Sequence, residues 1–165
     1  KAKLVFSILR IISDSMYSMI SISRVLQEYG ISEINISRIN LEASKRARNK
    51  DDGDHCLEVI SDQNVKELTQ KTEVAEVYNL IQKFIKIAKD NTVSDTLYKI
   101  IRNETDVYKS IANDDMIESS IERSILSDII NSAYDLESIN RNATIADYLD
   151  FVEHLIKFES YCVSE

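Results

Sequence analysis

The chain contains no proline and only two glycines, Gly30 and Gly53, among its 165 residues. Sheet-rich folds need turn residues at nearly every chain reversal, and glycine and proline are the commonest of these. A chain almost without them is expected to reverse direction seldom, through short connections of Asn, Asp and Ser between long helices. The sequence therefore predicts an all-α fold, an antiparallel bundle of roughly five to seven helices.

The length suits one domain, and a chain of 165 residues buries enough surface to fold without a disulfide or a metal. We predict a single helical domain over residues 1–165. Charge suggests one subdivision of it, into a basic helical segment 1–50 and an acidic helical bundle 63–165. The first 50 residues carry nine Lys or Arg against four Asp or Glu, whereas the remaining residues carry eleven against twenty-four.

This uneven charge bears on the kind of partner. The net charge of −8 would repel phosphates along most of the chain, so nucleic acid is expected to bind only through residues 18–50. The acidic remainder would suit a basic protein partner. Neither a signal peptide nor an apolar run of about 18 residues is present, so we expect a soluble intracellular protein, cytoplasmic by default, that does not enter a membrane.

Apolar residues recur at helical spacing through most of the chain. The pattern predicts a helix over residues 3–29 with a break at "SDSMYS", a helix from Thr72, and one from Val93 through Ile111. A further helix from Asn113 carries this apolar series: Ile117, Ile121, Ile125, Ile129, Ile130 and Ala133. "CLEVIS" is too short to assign, and Asp62 is expected to start a short helix.

The stretch "QEYGISEINISRIN", residues 27–40, contains the first glycine. Gly30 is placed to end one helix in a left-handed conformation, with Ile31 folding back over the last turn. Ser32 can then cap a second helix, whose residues Ile36 and Ile39 would face the core. One interpretation is an ordinary helix end followed by another bundle helix.

The other interpretation is a DNA-binding helix-turn-helix. "GIS…ISRI" is similar, over about ten residues, to the "G-V-S-x-x-x-V-S-R-V" run of several bacterial repressor families. That resemblance implies a reading head over residues 18–48 and a helical dimerisation or effector bundle over 63–163. The residues it implies at base edges are Ser32, Asn35, Ser37 and above all Arg38, and those at phosphates are Lys45, Arg46 and Arg48.

A different resemblance concerns "RNKDDGDH". Arg48 and Asn49 ahead of His55 resemble the Arg-Asn…His spacing of the HEPN ribonucleases, helical bundles that cleave RNA. That resemblance implies that Arg48 and His55 converge on one exposed groove. The alternative is a solvated loop, because three aspartates lie in the spacer and would repel phosphate.

No other motif carries recognisable chemistry, so we predict no catalytic, cofactor-binding or metal-binding residues. His55, Cys56, His154 and Cys162 lack the paired close spacings of a zinc site, and an EF-hand alignment of "DDGD" places Val59 where a glutamate is required. The first hypothesis is a non-catalytic helical module that acts through protein–protein interaction or self-association. The wide apolar circumference of the first helix favours contact with another chain. The alternative is the helix-turn-helix regulator, followed by the HEPN-like ribonuclease.

Overall fold

Every element of regular secondary structure in the described part of the chain is helical. The computed structural model describes residues 1–14, 18–50, 53, 55–62, 65, 67–105, 107, 109 and 117–162, with backbone only at 49–50 and 157–162. No strand occurs within these ranges. The predicted all-α fold is confirmed.

Eight α-helices lie in these ranges. They are α1 (Ala2–Ser13), α2 (Met19–Glu28), α3 (Glu33–Lys50), α4 (Cys56–Ser61), α5 (Lys71–Asp90), α6 (Val93–Lys99), α7 (Ile117–Ile139) and α8 (Ile145–Cys162). Six of these helices have ten residues or more, in line with the predicted number of bundle helices. None of the helices in the described ranges is long and apolar enough to cross a membrane.

The helices group into two compact units. One unit comprises Lys1–Val5 with Ile87–Glu165 and is called the α6–α8 unit here; the other comprises Phe6–Lys86 and is called the α2–α4 unit. The single-domain organisation, and its subdivision at residues 50 and 63, stay predictions.

In the α2–α4 unit, the side chain of Asn40 ties α3 to both of its neighbours. The Asn40 amide nitrogen donates to Ser23 Oγ on α2 at 3.0 Å. The Asn40 amide oxygen lies 3.9 Å from Cys56 Sγ, the thiol that begins α4. Cys56 and the α3 residues Ile39 and Ala43 are fully buried between these helices. Asn40 therefore joins the three helices at one point of the core.

In the α6–α8 unit, α7 packs against both α6 and α8. The carboxylate of Glu137 on α7 accepts the backbone N–H of Ser94 at 2.8 Å and its hydroxyl at 2.7 Å. Because the first N–H groups of a helix have no partner within it, a carboxylate at this end satisfies a donor and complements the helix dipole. One acidic side chain thus fixes the start of α6 against α7.

The pairing of α7 with α8 depends on Tyr148, which is completely buried. The Tyr148 hydroxyl donates to the Ile129 carbonyl at 2.8 Å and lies 3.0 Å from Ser132 Oγ. Burial raises the pKa of the Tyr148 phenol, and the bond with Ser132 opposes this shift. The neutral phenol is therefore the form that the folded chain requires.

The start of α8 has a reciprocal capping pair. Asp147 Oδ2 accepts the backbone N–H and the hydroxyl of Thr144, each at 2.8 Å, while Thr144 Oγ1 accepts the Asp147 N–H at 3.2 Å. These bonds lower the pKa of the Asp147 carboxyl. The ionised carboxylate therefore stabilises the folded chain at pH values above its usual pKa. This stabilisation is lost as the pH falls through the lowered pKa of the folded state.

Two predicted elements differ from the structure, and "CLEVIS", which was left unassigned, is helix α4. The helix expected after Asp62 is absent from residues 65 and 67–70. The helix from Val93 ends at Glu104 after a π-helical turn over Ile100–Glu104. The N–H and hydroxyl of Thr105 both bond to the Ile100 carbonyl, at 3.1 and 2.8 Å, and close this turn. The predicted start at Asn113 lies outside the described residues.

The first helix also differs from its interpretation. Its apolar residues Leu4, Val5, Ile8, Leu9 and Ile11 are all buried in this chain. The wide apolar circumference of α1 is therefore used for folding, and it gives no support for contact with another chain.

We predict that Tyr148→Phe lowers the free energy of unfolding by about 1 kcal/mol, the net value of a buried hydrogen bond. Above about pH 10 the unfolded phenol ionises while the folded one stays protonated, so the wild type loses stability as the pH rises. The variant lacks this ionisation. Urea denaturation at pH 7 and at pH 11 measures both effects, and a stability gap that stayed constant between the two pH values would contradict the role of the buried phenol.

Candidate interaction surface

The turn between α2 and α3 has the geometry predicted for Gly30. The backbone φ of Gly30 is +80°, in the left-handed region. The N–H of Ile31 donates to the Leu26 carbonyl at 3.0 Å and that of Gly30 to the Gln27 carbonyl at 3.1 Å. These two bonds form a Schellman motif, and the buried side chains of Ile31 and Leu26 accompany it. The turn therefore sets the angle at which α3 leaves α2.

Ser32 begins α3, as predicted, and Gln70 holds this start in place. Ser32 Oγ accepts the Asn35 N–H at 3.4 Å. Gln70 Oε1 accepts the Ser32 N–H at 2.8 Å, and Gln70 Nε2 donates to the Gly30 carbonyl at 3.3 Å. A side chain almost forty residues away in the chain thus bonds to both sides of the turn.

Asn35 was expected to face outward and is instead buried. Its amide nitrogen donates to Thr69 Oγ1 at 3.1 Å and to Gln70 Oε1 at 2.8 Å, while its oxygen accepts the Thr69 N–H at 3.2 Å. Buried amides are stable only when such partners satisfy them. Residues 69–70 supply those partners, which is why Asn35 lies on the inner side of α3 and cannot present its amide at the surface.

Arg38, the residue to which the DNA-binding hypothesis gave most weight, is partly engaged within the chain. The guanidinium donates to the Glu67 carbonyl and lies 3.7 Å from the Glu67 carboxylate. It is one-third exposed. Arg38 therefore holds the 67–70 segment as well as facing solvent.

The three cations further along α3 differ in their surroundings. Arg46 contacts Asp62 at 2.6 Å and Glu42 at 3.6 Å. The hydrogen bond to Asp62 raises the pKa of Arg46. Lys45 lies 3.6 Å from Glu42 and stays mostly exposed, and Arg48 is exposed. Lys45 and Arg48 consequently face solvent on the outer side of α3, as does Ser37.

Large apolar side chains are exposed on both α2 and α3. Ile20 on α2 is 77% exposed, and Ile34 and Leu41 on α3 are 66% and 59% exposed. Ile34 and Leu41 are seven residues apart, two helical turns, and so lie on the same side of α3. We call the set comprising Ile20, Arg24, Ile34, Ser37, Leu41, Lys45 and Arg48 the α2–α3 face.

A groove lies between α2 and the first turns of α3, beside the α2–α3 face. Its volume is about 370 Å³. The groove is lined by Ile20, Ser23, Arg24, Gln27, Glu33, Ile36 and Ser37. Ile20 and Ile36 are its apolar lining residues, and Arg24 and Glu33 add one charge of each sign. A mixed apolar and charged groove of this kind is suited to an amphipathic chain segment rather than to a purely polar ligand.

A second apolar surface lies on the other unit. Ile117, Ile121 and Ile125 belong to the apolar series predicted for this helix, and they are between 41% and 80% exposed. The core of α7 consists instead of Leu126, Ile129, Ala133 and Leu136. Since a spacing of four residues drifts around a helix, the series leaves the core side towards the start of α7. We call these three residues the α7 isoleucine row.

The structure does not bring together the groups that a HEPN-like nuclease would need. The His55 side chain is buried, and its Nδ1 lies 3.2 Å from the Glu58 carboxylate. Arg48 is exposed. A buried imidazole cannot reach an RNA backbone in a solvent-exposed groove. In the part of the chain that the structure describes, no three His, Cys, Asp or Glu side chains cluster as metal ligands would.

Comparison with known proteins does not assign this chain to a family. No protein-family model, no curated protein and no solved structure matches this chain. A functional assignment therefore depends on the geometry of its surfaces.

We predict that Gly30→Ala lowers the free energy of unfolding by about 1 kcal/mol, because a Cβ is disfavoured at a left-handed φ. No atom within 4 Å would meet that Cβ, so the loss comes from the backbone alone. Gly30→Asn should be milder, since asparagine tolerates this conformation. Urea unfolding of the two variants measures the difference, and equal losses would contradict a backbone origin.

Proposed function

We propose that the chain is a non-catalytic helical module that acts by binding another protein chain, either a partner or a second copy of itself. The observation that supports this function is the α2–α3 face, where Ile20, Ile34 and Leu41 are exposed beside a groove. Scattered apolar side chains are normal on protein surfaces, but a group of them with a groove marks interaction sites.

The energetics favour contact over exposure. Fully burying an aliphatic side chain of this size is worth about 1.5–3 kcal/mol. Burial of Ile20, Ile34 and Leu41 together would therefore return several kcal/mol, enough to offset part of the entropy lost on association. The charged side chains around them, Arg24, Lys45 and Arg48, would form the polar rim that interfaces require.

A photo-crosslinking amino acid at position 41 tests this function. We expect illumination of cells that make the chain to give covalent adducts with protein, because Leu41 is exposed on the α2–α3 face. The measurement is the mass and composition of the adducts. The matched control carries the same amino acid at position 79 on α5, where Asn79 is exposed outside the face.

Adducts at position 41 and none at position 79 would support the proposal. Equal labelling at the two positions, or no protein adduct at either, would overturn it. Adducts that nuclease treatment removes would favour nucleic acid instead.

DNA binding is the second candidate function. The Schellman turn between a ten-residue helix and α3, with Ser37, Lys45 and Arg48 exposed beyond it, favours this candidate. Two features count against DNA binding. Asn35 and Arg38 bond to residues 67–70, and Glu33 and Glu42 carry negative charge on α3. The basic side chains that remain exposed could contact phosphates, but they offer few groups for reading bases.

Fluorescence anisotropy of a labelled random duplex measures DNA binding directly. If the second candidate is correct, affinity falls steeply between low and near-physiological salt, and Lys45→Glu with Arg48→Glu removes binding and reduces the salt slope. Both side chains are exposed, so the double variant should keep the fold, and circular dichroism checks this. Absence of binding at low salt would eliminate DNA as the ligand of the face.

A further inference from the structure

We propose that the α7 isoleucine row of one copy docks on the α2–α3 face of a second copy, so that the chain self-associates. This inference rests on the proposed function, since it names the occupant of the same face. It joins two exposed apolar surfaces that lie on different units of the chain, and neither surface is covered by the residues that the structure describes.

The two surfaces match in length. With a rise of 1.5 Å per residue, the row from Ile117 to Ile125 spans about 12 Å, and the pair Ile34 and Leu41 spans about 10 Å. The row is continuous along one side of α7, because residues four apart are neighbours on a helix. Docking a helix through such a row beside the α2–α3 groove is a common mode of recognition, in which residues at i, i+4 and i+8 act as anchors.

The two surfaces also match in charge. Helix α7 carries five acidic residues and one basic residue, whereas α3 carries five basic residues and two acidic ones. Glu118 and Asp128 are exposed and lie within one turn of the row. On the α2–α3 face, Lys45 and Arg48 lie within two turns of Leu41. Opposite charges thus border both sets of anchors, and their attraction would favour the encounter.

The same charges argue against pairing each surface with its own copy. Two α7 rows placed together would bring carboxylates against carboxylates, and two α2–α3 faces would bring cations against cations; like charges in contact are destabilising. The favourable contact is therefore between different surfaces. Such a contact closes into a two-fold dimer where both pairs of surfaces can meet at once, and otherwise extends into rings or open chains.

Sedimentation velocity on two single variants and their mixture tests this arrangement. Leu41→Glu removes the face but keeps the row, and Ile121→Glu removes the row but keeps the face. A charge buried among apolar anchors should weaken each variant's own association by about tenfold or more. Mixed in equal amounts, the two variants should form a one-to-one dimer, because one intact face meets one intact row. The wild type should associate as its concentration rises, and each single variant alone should stay monomeric.

Three controls keep the test sharp. Both substituted side chains are more than half exposed, and circular dichroism checks that the variants fold. If a glutamate variant does not fold, Leu41→Ser or Ile121→Ser takes its place. Ile139→Glu, at a position that is 80% exposed and about 21 Å beyond Ile125 along α7, should leave association unchanged. Added salt should weaken association, since screening reduces the attraction between the two surfaces.

A wild type that stays monomeric at up to about 200 μM would overturn the inference, since even small interfaces associate in this range. So would a mixture that contains only monomers while the wild type assembles. A monomeric wild type whose position 41 still crosslinks to other proteins would remove the self-association but leave the proposed function in place. Absence of both the assembly and the crosslinks would overturn the self-association and the proposed function together.

Discussion

The buried amide of Asn35 holds the position of α3, and the α2–α3 face depends on it. The amide is bonded to Thr69 and Gln70, and Gln70 in turn bonds to Ser32 and Gly30, so one small network connects the end of α2, the start of α3 and the segment before α5. A buried amide that lost these partners would carry the full desolvation cost, so the network has few alternative arrangements. With the inner side of α3 fixed in this way, the outer side presents Ile34, Leu41, Lys45 and Arg48 together.

Local signals in the sequence were sufficient where one turn of chain decides the structure. The left-handed Gly30, the Ser32 cap and the reciprocal bonds of Thr144 with Asp147 could be predicted because each involves residues at most five apart. Asn35 could not be placed in this way. Its partners are more than thirty residues away, and an asparagine one turn into a helix has the same appearance in sequence whether it bonds to bases or to a neighbouring segment. The same applies to Arg38, whose contact at Glu67 is equally distant.

Apolar spacing predicted the helices better than it predicted what they face. The period of α7 is the same for Ile117 and Ile129, yet one residue is exposed and the other buried. Periodicity predicts that one side of a helix will be buried. It does not predict whether the residues that bury it belong to the same chain. For α1 the cover is internal, although its wide apolar surface suggested otherwise. The short helix α4 was missed for a related reason, since it packs on α3 beside Asn40, sixteen residues away. The π-helical end of α6 is closed by the local bonds of Thr105 to Ile100, which apolar spacing does not report.

The sealed position of Cys56 has a practical consequence. Its thiol begins α4 against Asn40 with no exposed surface, so a water-soluble thiol reagent can reach it only when α4 separates from α3. The rate at which Cys56 reacts would then report how often the α2–α4 unit opens, in the way that amide exchange reports local unfolding. The second cysteine lies in the other unit, so a Cys162→Ser chain would confine the signal to one unit. The reaction rate of Cys56 thus measures the separation of α4 from α3, which is the motion that would disturb the α2–α3 face.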